Sequence, residues 1–155
     1  MYKTEFISRN MEDTAKAGNA IAGILEKGDT VALYGDMASG KTALSRFIFE
    51  AKGFAAGFSS PTYAIINEYT DSQGGKAYHI DAYRLSSPEE LLYAGADELT
   101  DAVLTVIEWA DIVEEAIPED STKVHIYKTD DINARRLEIY VDSSDKLAKL
   151  NEALE

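Results

Sequence analysis

At 155 residues, with 45 % hydrophobic and 28 % charged positions, the chain is long enough for one globular domain, 1–155, with a real core. A formal net charge of -13 excludes a broad direct grip on nucleic acid, which clustered Lys and Arg perform, so any RNA contact is expected to pass through a more basic partner. The absence of cysteine excludes disulfides and thiolate metal sites, and two histidines, His79 and His125, leave little room for zinc. With no secretory segment, spanning apolar run or lipidation motif in the sequence, the expected setting is soluble and cytoplasmic, without a membrane.

In chain order, Tyr2 to Ser8 alternates loosely and carries Tyr, Phe and Ile, which predicts a first strand. Asn10 is placed to cap the next helix, with Glu12 and Asp13 in its first turn, where the helix dipole favours acids. Ala17, Ala20, Ile21, Ile24 and Leu25 form its apolar stripe, and Gly28 ends it. Thr30 to Tyr34 reads as a buried strand, and Lys41 to Lys52 as a helix with Leu44, Phe47 and Ile48 inward. Beyond Gly57, Thr62 to Thr70 and Lys76 to Leu85 form two strand-like runs around the polar turn Asp71-Ser72-Gln73-Gly74-Gly75. Ser87 and Pro88 open a helix with Leu91, Leu92 and Leu99 on its apolar side. Ala102 to Ile107 suits a central strand, followed by a short acidic helix around Asp111 to Ala116. Val124 to Tyr127 and Arg136 to Val141 read as a second hairpin, and Asp145 to Leu154 as a closing helix. The alternation predicts an α/β fold of the P-loop NTPase type, a central sheet with flanking helices and β-hairpin insertions.

Between the second strand and second helix lies Gly35-Asp36-Met37-Ala38-Ser39-Gly40-Lys41-Thr42, a full match to G-x-x-x-x-G-K-[ST]. At ordinary residue frequencies a chain of this length carries that string by accident roughly once in a hundred or less. The spacing has a physical reason. Glycines let successive backbone N–H groups turn toward phosphate oxygens, and the helix N-terminus adds positive potential. Lys41 is expected on the β- and γ-phosphates, and the Thr42 hydroxyl on Mg2+. Gly35, Ala38, Ser39, Gly40 and Ala43 complete the expected ATP/ADP cradle.

A nucleotide-bound Mg2+ usually takes a carboxylate from the end of a neighbouring strand. Glu108 closes the apolar run Val103-Leu104-Thr105-Val106-Ile107, the form of a Walker B strand with Glu in place of Asp; Asp81 lies in His79-Ile80-Asp81. Glu108 is the preferred metal ligand, which leaves Asp81 to order the attacking water or the metal's water shell. Thr62, in Ser59-Ser60-Pro61-Thr62-Tyr63, stands where many nucleotide hydrolases keep a loop that senses the γ-phosphate; a plain loop-to-strand junction is the other reading. Trp109 either stacks on a ligand or fills a gap between helix and sheet, with packing favoured by sequence alone. His79 reads as a structural histidine, and Tyr63, Tyr69 and Tyr83 as packing residues.

Taken together, the glycine loop, Ser60-Pro61-Thr62-Tyr63, Asn67-Glu68-Tyr69, His79-Ile80-Asp81-Ala82-Tyr83-Arg84-Leu85 and Ile107-Glu108-Trp109 occur in an order that resembles the bacterial TsaE (YjeE) family. The likeness runs from the first strand to Arg136. It implies a P-loop ATPase that joins the TsaB–TsaD pair and supports threonylcarbamoyl transfer to adenosine 37 of tRNAs reading ANN codons, without performing the transfer. By position it also implies Lys41 and Thr42 on phosphate and Mg2+, Glu108 as second metal ligand, Thr62 in the switch-like loop, Asp81 near the γ-phosphate and Trp109 beside the nucleotide. Met11 and Arg135 match positions that border the adenine. The usual loop reads G-D-L-G-A-G-K-T, so Ala38 and Ser39 depart from it, and a Cβ at 38 restricts positive φ and bears on nucleotide affinity. Ala110 replaces a frequent Pro.

Three alternatives compete. A small-molecule kinase of the P-loop class needs an acceptor pocket and mobile arginines, and Arg84, Arg135 and Arg136 are the only late ones, with no Arg-rich lid. A guanine-nucleotide switch needs an N-K-x-D motif, which is absent. A non-enzymatic binding module follows if Asp81 does not position water. The oligomeric state has no signal in the sequence.

Overall fold

The structure, a computed structural model, describes residues 1–36, 38–54, 66–93 and 102–155. The order is β1 (Tyr2–Ser8), α1 (Met11–Ile24), β2 (Asp29–Gly35), α2 (Lys41–Ala51), β3 (Ile66–Thr70), β4 (Lys76–Asp81), α3 (Pro88–Tyr93), β5 (Leu104–Glu108), a 3-10 helix (Ala110–Ala116), β6 (Thr122–Lys128), β7 (Arg135–Val141) and α4 (Ser144–Leu154). Thr62 to Ile65 of the expected third strand and Leu99 of the expected helix lie outside the described residues.

All seven strands join one sheet in the order β1-β7-β6-β2-β5-β4-β3. β2 runs parallel to both β5 and β6, and β4 runs parallel to β5, whereas β3–β4, β6–β7 and β1–β7 are antiparallel. The β3–β4 hairpin therefore forms one end of the sheet, while the β6–β7 hairpin lies between β2 and the edge strand β1, and both are continuous with the sheet. The central strands are apolar on both sides, as a parallel core requires. Val31 and Leu33 of β2 join Leu104 and Val106 of β5 beneath Ile21, Ile48 and Leu150. Ala32 and Tyr34 face the opposite side with Ile80, Ile107, Val113 and Ile117.

Helix ends follow local chemistry. The Asn10 side chain accepts from the Asp13 N–H at 2.8 Å, and Asp13 accepts from the Arg9 N–H at 2.9 Å, a reciprocal cap. Ser143 caps α4 in the same way through the Lys146 N–H at 3.2 Å, so the closing helix begins at Ser144, one residue before the expected Asp145. In α2, Phe47 is only half-buried; Phe49, which the expected stripe leaves out, is fully buried in the core. β4 ends at Asp81, because the Leu85 N–H donates to the Ala82 carbonyl in a turn. The expected short acidic helix is present as a 3-10 helix with a break at Val113. No helix among the described residues is long and apolar enough to cross a membrane.

Candidate active site

Parallel strands β2, β5 and β4 end together, at Gly35, Glu108 and Asp81, and Glu108 lies in register with both Leu33 and Asp81. The carboxyl edge of such a sheet is where open α/β folds place ligands. The loop from Gly35 rises from this edge into α2. Unlike α1 and α4, α2 starts without a side-chain cap and with no acid in its first turn. Its orphan N–H groups and the positive end of its dipole thus face the cleft, an arrangement that attracts anions.

The loop backbone is built for close approach. Gly40 sits at φ 110°, in the left-handed region, and a Cβ there would meet nothing within 4 Å, so conformation and not space demands glycine. At Gly35 space decides: a Cβ would lie 2.6 Å from Ser39 Oγ and 2.9 Å from the Ile126 carbonyl oxygen. Ala38 adopts φ 61° despite its Cβ, at a cost of roughly 1–2 kcal/mol. The loop therefore takes the shape that glycine enters freely. Ser39 is buried, its N–H donating to the Asp36 carbonyl at 3.1 Å.

The Lys41 ammonium donates to the Gly35 and Asp36 carbonyls at 2.6 and 2.7 Å and lies 3.9 Å from the Trp109 ring centroid. Burial lowers its pKa, although Glu108, Asp111, Asp36 and Asp81 pull the other way. Trp109 holds φ 58°, an outlier for so bulky a residue, and such backbone costs on the order of 1–3 kcal/mol. That conformation sets the indole between Lys41 and Tyr83, whose ring centroid is 5.0 Å away. Trp109 is half-buried: it packs against the core cluster of Ala32, Tyr34 and Ile107, as packing would place it, and also lines the cleft.

Glu108 is 3 % exposed. One carboxylate oxygen accepts from Thr42 Oγ1 at 3.0 Å; the other is held by His79 Nε2, with Ser45 Oγ 3.4 Å away. Burial pushes the carboxyl up, but His79, Thr42 and Lys41 together outweigh it and hold it below the usual carboxylate range. Asp81 is exposed at the same cleft and accepts from the Tyr83 N–H at 3.0 Å.

The structure thus gathers Ala38, Ser39, Gly40, Lys41, Thr42, Ala43, Asp81, Glu108 and Trp109 around one cleft of about 320 Å³. Across the loop, a second cavity of about 520 Å³ is lined by Met11 and Arg135 and shares Ala38 to Gly40 and Ala43 with the first. Arg135 also fastens the loop, donating to the Ser39 carbonyl at 3.1 Å and the Ala38 carbonyl at 3.3 Å. Thr62 lies outside the described residues.

Among the lining residues that the sequence-based site leaves out are Ile132 and Asn133. Ile132 is 83 % exposed at the rim of the second cavity, and Asn133 lies beside it. An isoleucine stranded in the polar turn Asp130-Asp131-Ile132-Asn133 is the signal that marks them. Ser45 is legible from helical spacing, one turn beyond Lys41.

The donors suit magnesium. Thr42 and Glu108 offer hard oxygens side by side, and Mg2+ characteristically takes one or two carboxylates plus phosphate oxygens and water. Among the described residues no group of three or more His, Asp or Glu side chains is gathered as a cation site.

Comparison with known proteins gives a consistent set of relatives. The family model described as "Threonylcarbamoyl adenosine biosynthesis protein TsaE" matches residues 8–137. The tRNA threonylcarbamoyladenosine biosynthesis protein TsaE of Haemophilus influenzae is 36 % identical over 121 residues, 77 % of this chain and 74 % of that one. The protein of the same name from Rickettsia felis is 34 % identical over 140 residues, 90 % and 81 % of the two chains. That of Bacillus subtilis is 32 % identical over 123 residues, 79 % and 76 %. The crystal structure of Bacillus subtilis YdiB superposes with a TM-score of 0.73 at 25 % identity, over 98 % of this chain and 94 % of that one.

Proposed function

This chain belongs to the TsaE family of tRNA threonylcarbamoyladenosine biosynthesis, and from that premise we propose that it is a slow, Mg2+-dependent ATPase supporting a TsaB–TsaD pair. The observation that carries the proposal is the uncapped N-terminus of α2, with Lys41 and the Thr42–Glu108 pair at one cleft.

In this reading the triphosphate lies along the loop, and Lys41 exchanges its two carbonyl partners for phosphate oxygens. Trp109 shields the ammonium from water, which strengthens its attraction to the phosphates. Bound Mg2+ would neutralise charge on the β- and γ-phosphates, held by Thr42 and Glu108. Asp81, exposed at the cleft beside Glu108, orders the attacking water. The base occupies the larger cavity against Met11 and Ile132, whose apolar side chains are 60 % and 83 % exposed and gain cover from it. Arg135 supports that pocket by fixing the loop.

The kinase reading gains nothing from the geometry. Arg135 is engaged by backbone carbonyls, and Arg136 pairs with Glu138 and, at 3.7 Å, with Glu5. With a net charge of -13 the chain leaves direct tRNA contact to its partners.

Steady-state phosphate release with and without the TsaB–TsaD pair tests the proposal. Slow turnover alone and marked stimulation by the pair is the expected result, since a group supplied in trans can contribute ~10³–10⁵ in rate. Equal rates under both conditions would contradict the partner dependence.

A further inference from the structure

The residue behind Glu108 has a role that its buried position alone does not explain. His79 and Asp81 lie two apart on β4, so both project from the same sheet face as Glu108, which pairs with Asp81 in register. Asp81 is exposed at the cleft, while His79 is 6 % exposed and packs edge-on against Phe49, their ring centroids 5.7 Å apart. Its Nε2 meets Oε2 of Glu108, and Oε1 faces Thr42. The proton is assigned to Nε2 because an ionised carboxylate only accepts.

Ser45 does not duplicate this bond. Its single hydroxyl proton goes to the Lys41 carbonyl at 2.8 Å, and its 3.4 Å contact with Oε2 is at the weak end of hydrogen bonding. Lys41 reaches Glu108 only through space. Among the described residues His79 is therefore the strong donor on the carboxylate oxygen turned away from Thr42, and the carboxylate cannot rotate without breaking that bond.

We propose that His79 is a positioning residue that clamps Glu108 so that its other oxygen is presented to the nucleotide-bound divalent cation. The inference rests on Glu108 being a metal ligand, as in the proposed function. Outer partners of metal ligands act in this way, by holding the ligand's orientation before the ion arrives.

The test titrates Mn2+ into the chain saturated with ADP, following free Mn2+ by electron paramagnetic resonance, with metal-free ADP affinity measured in parallel. Glu108→Ala, His79→Phe and His79→Gln are compared with the parent chain. His79→Phe, which keeps the ring volume but cannot donate, is expected to weaken Mn2+ binding about 10–100-fold and leave metal-free ADP affinity unchanged. His79→Gln, whose amide N–H can take the place of Nε2–H, restores most of the loss and serves as the folded control if His79→Phe does not fold. Parent-like Mn2+ affinity in His79→Phe, or a loss in His79→Gln as large as in Glu108→Ala, overturns the clamp while the Glu108 assignment stands. Unchanged Mn2+ affinity in Glu108→Ala overturns both.

Discussion

Lys41→Ala is expected to lower ATP turnover by at least about a hundredfold, the scale seen when one donor to a developing charge is removed. The lysine is buried within the loop, lined up by the Gly35 and Asp36 carbonyls and covered by Trp109. Because the surroundings already lower its pKa, the charge it carries is poorly solvated and gains strongly from a phosphate. Lys41→Arg is not expected to rescue, since a larger planar guanidinium does not reproduce the compact ammonium held at this position. Single-turnover hydrolysis at saturating ATP separates this loss from one of affinity. A melting temperature close to that of the parent chain shows that the fold persists.

The second large effect is expected from Glu108→Ala. It should impair Mg2+-dependent hydrolysis by about a hundredfold and raise the Mg2+ concentration required, while ADP affinity without metal stays within a few-fold. The contrast follows from position: the carboxylate stands against the Thr42 hydroxyl, whereas the backbone cradle is formed by other residues. An unchanged metal requirement would show that Glu108 is not a ligand. The same residue sets a pH signature. Its pKa is held down in the folded chain, so the stability it contributes is fully present above the ordinary carboxylate range and is lost as pH falls through the lower folded value. Melting curves of Glu108→Gln should therefore show a shallower acid limb than those of the parent.

Much of this architecture is legible in the sequence itself. Asn10 and Gly40 mark helix starts by chemistry that acts over three residues, so the cap of α1 and the loop into α2 follow from local pattern alone. Glu108 at the end of an apolar run is likewise local, because a strand buried on both faces can release a charge only at its end. What the sequence hides is set by distant segments. The choice of Phe49 over Phe47 for the core depends on where β3 and β4 present Tyr69 and His79, both of which Phe49 meets. The pairing of His79 with Glu108 joins residues 29 positions apart. Ile132 gains its place beside Met11 only because β7 folds back between β6 and β1. The left-handed Trp109 has no sequence signature, since nothing in its residue type favours that backbone.

A crystal structure of the chain with Mg2+ and a non-hydrolysable ATP analogue probes the phosphate cradle most directly. The account predicts Lys41 Nζ on phosphate oxygens and no longer on the Gly35 and Asp36 carbonyls, the ion between Thr42 and Glu108, and the base beside Met11 and Ile132. Phosphates lying elsewhere, with Lys41 still bound to its two carbonyls, would contradict it.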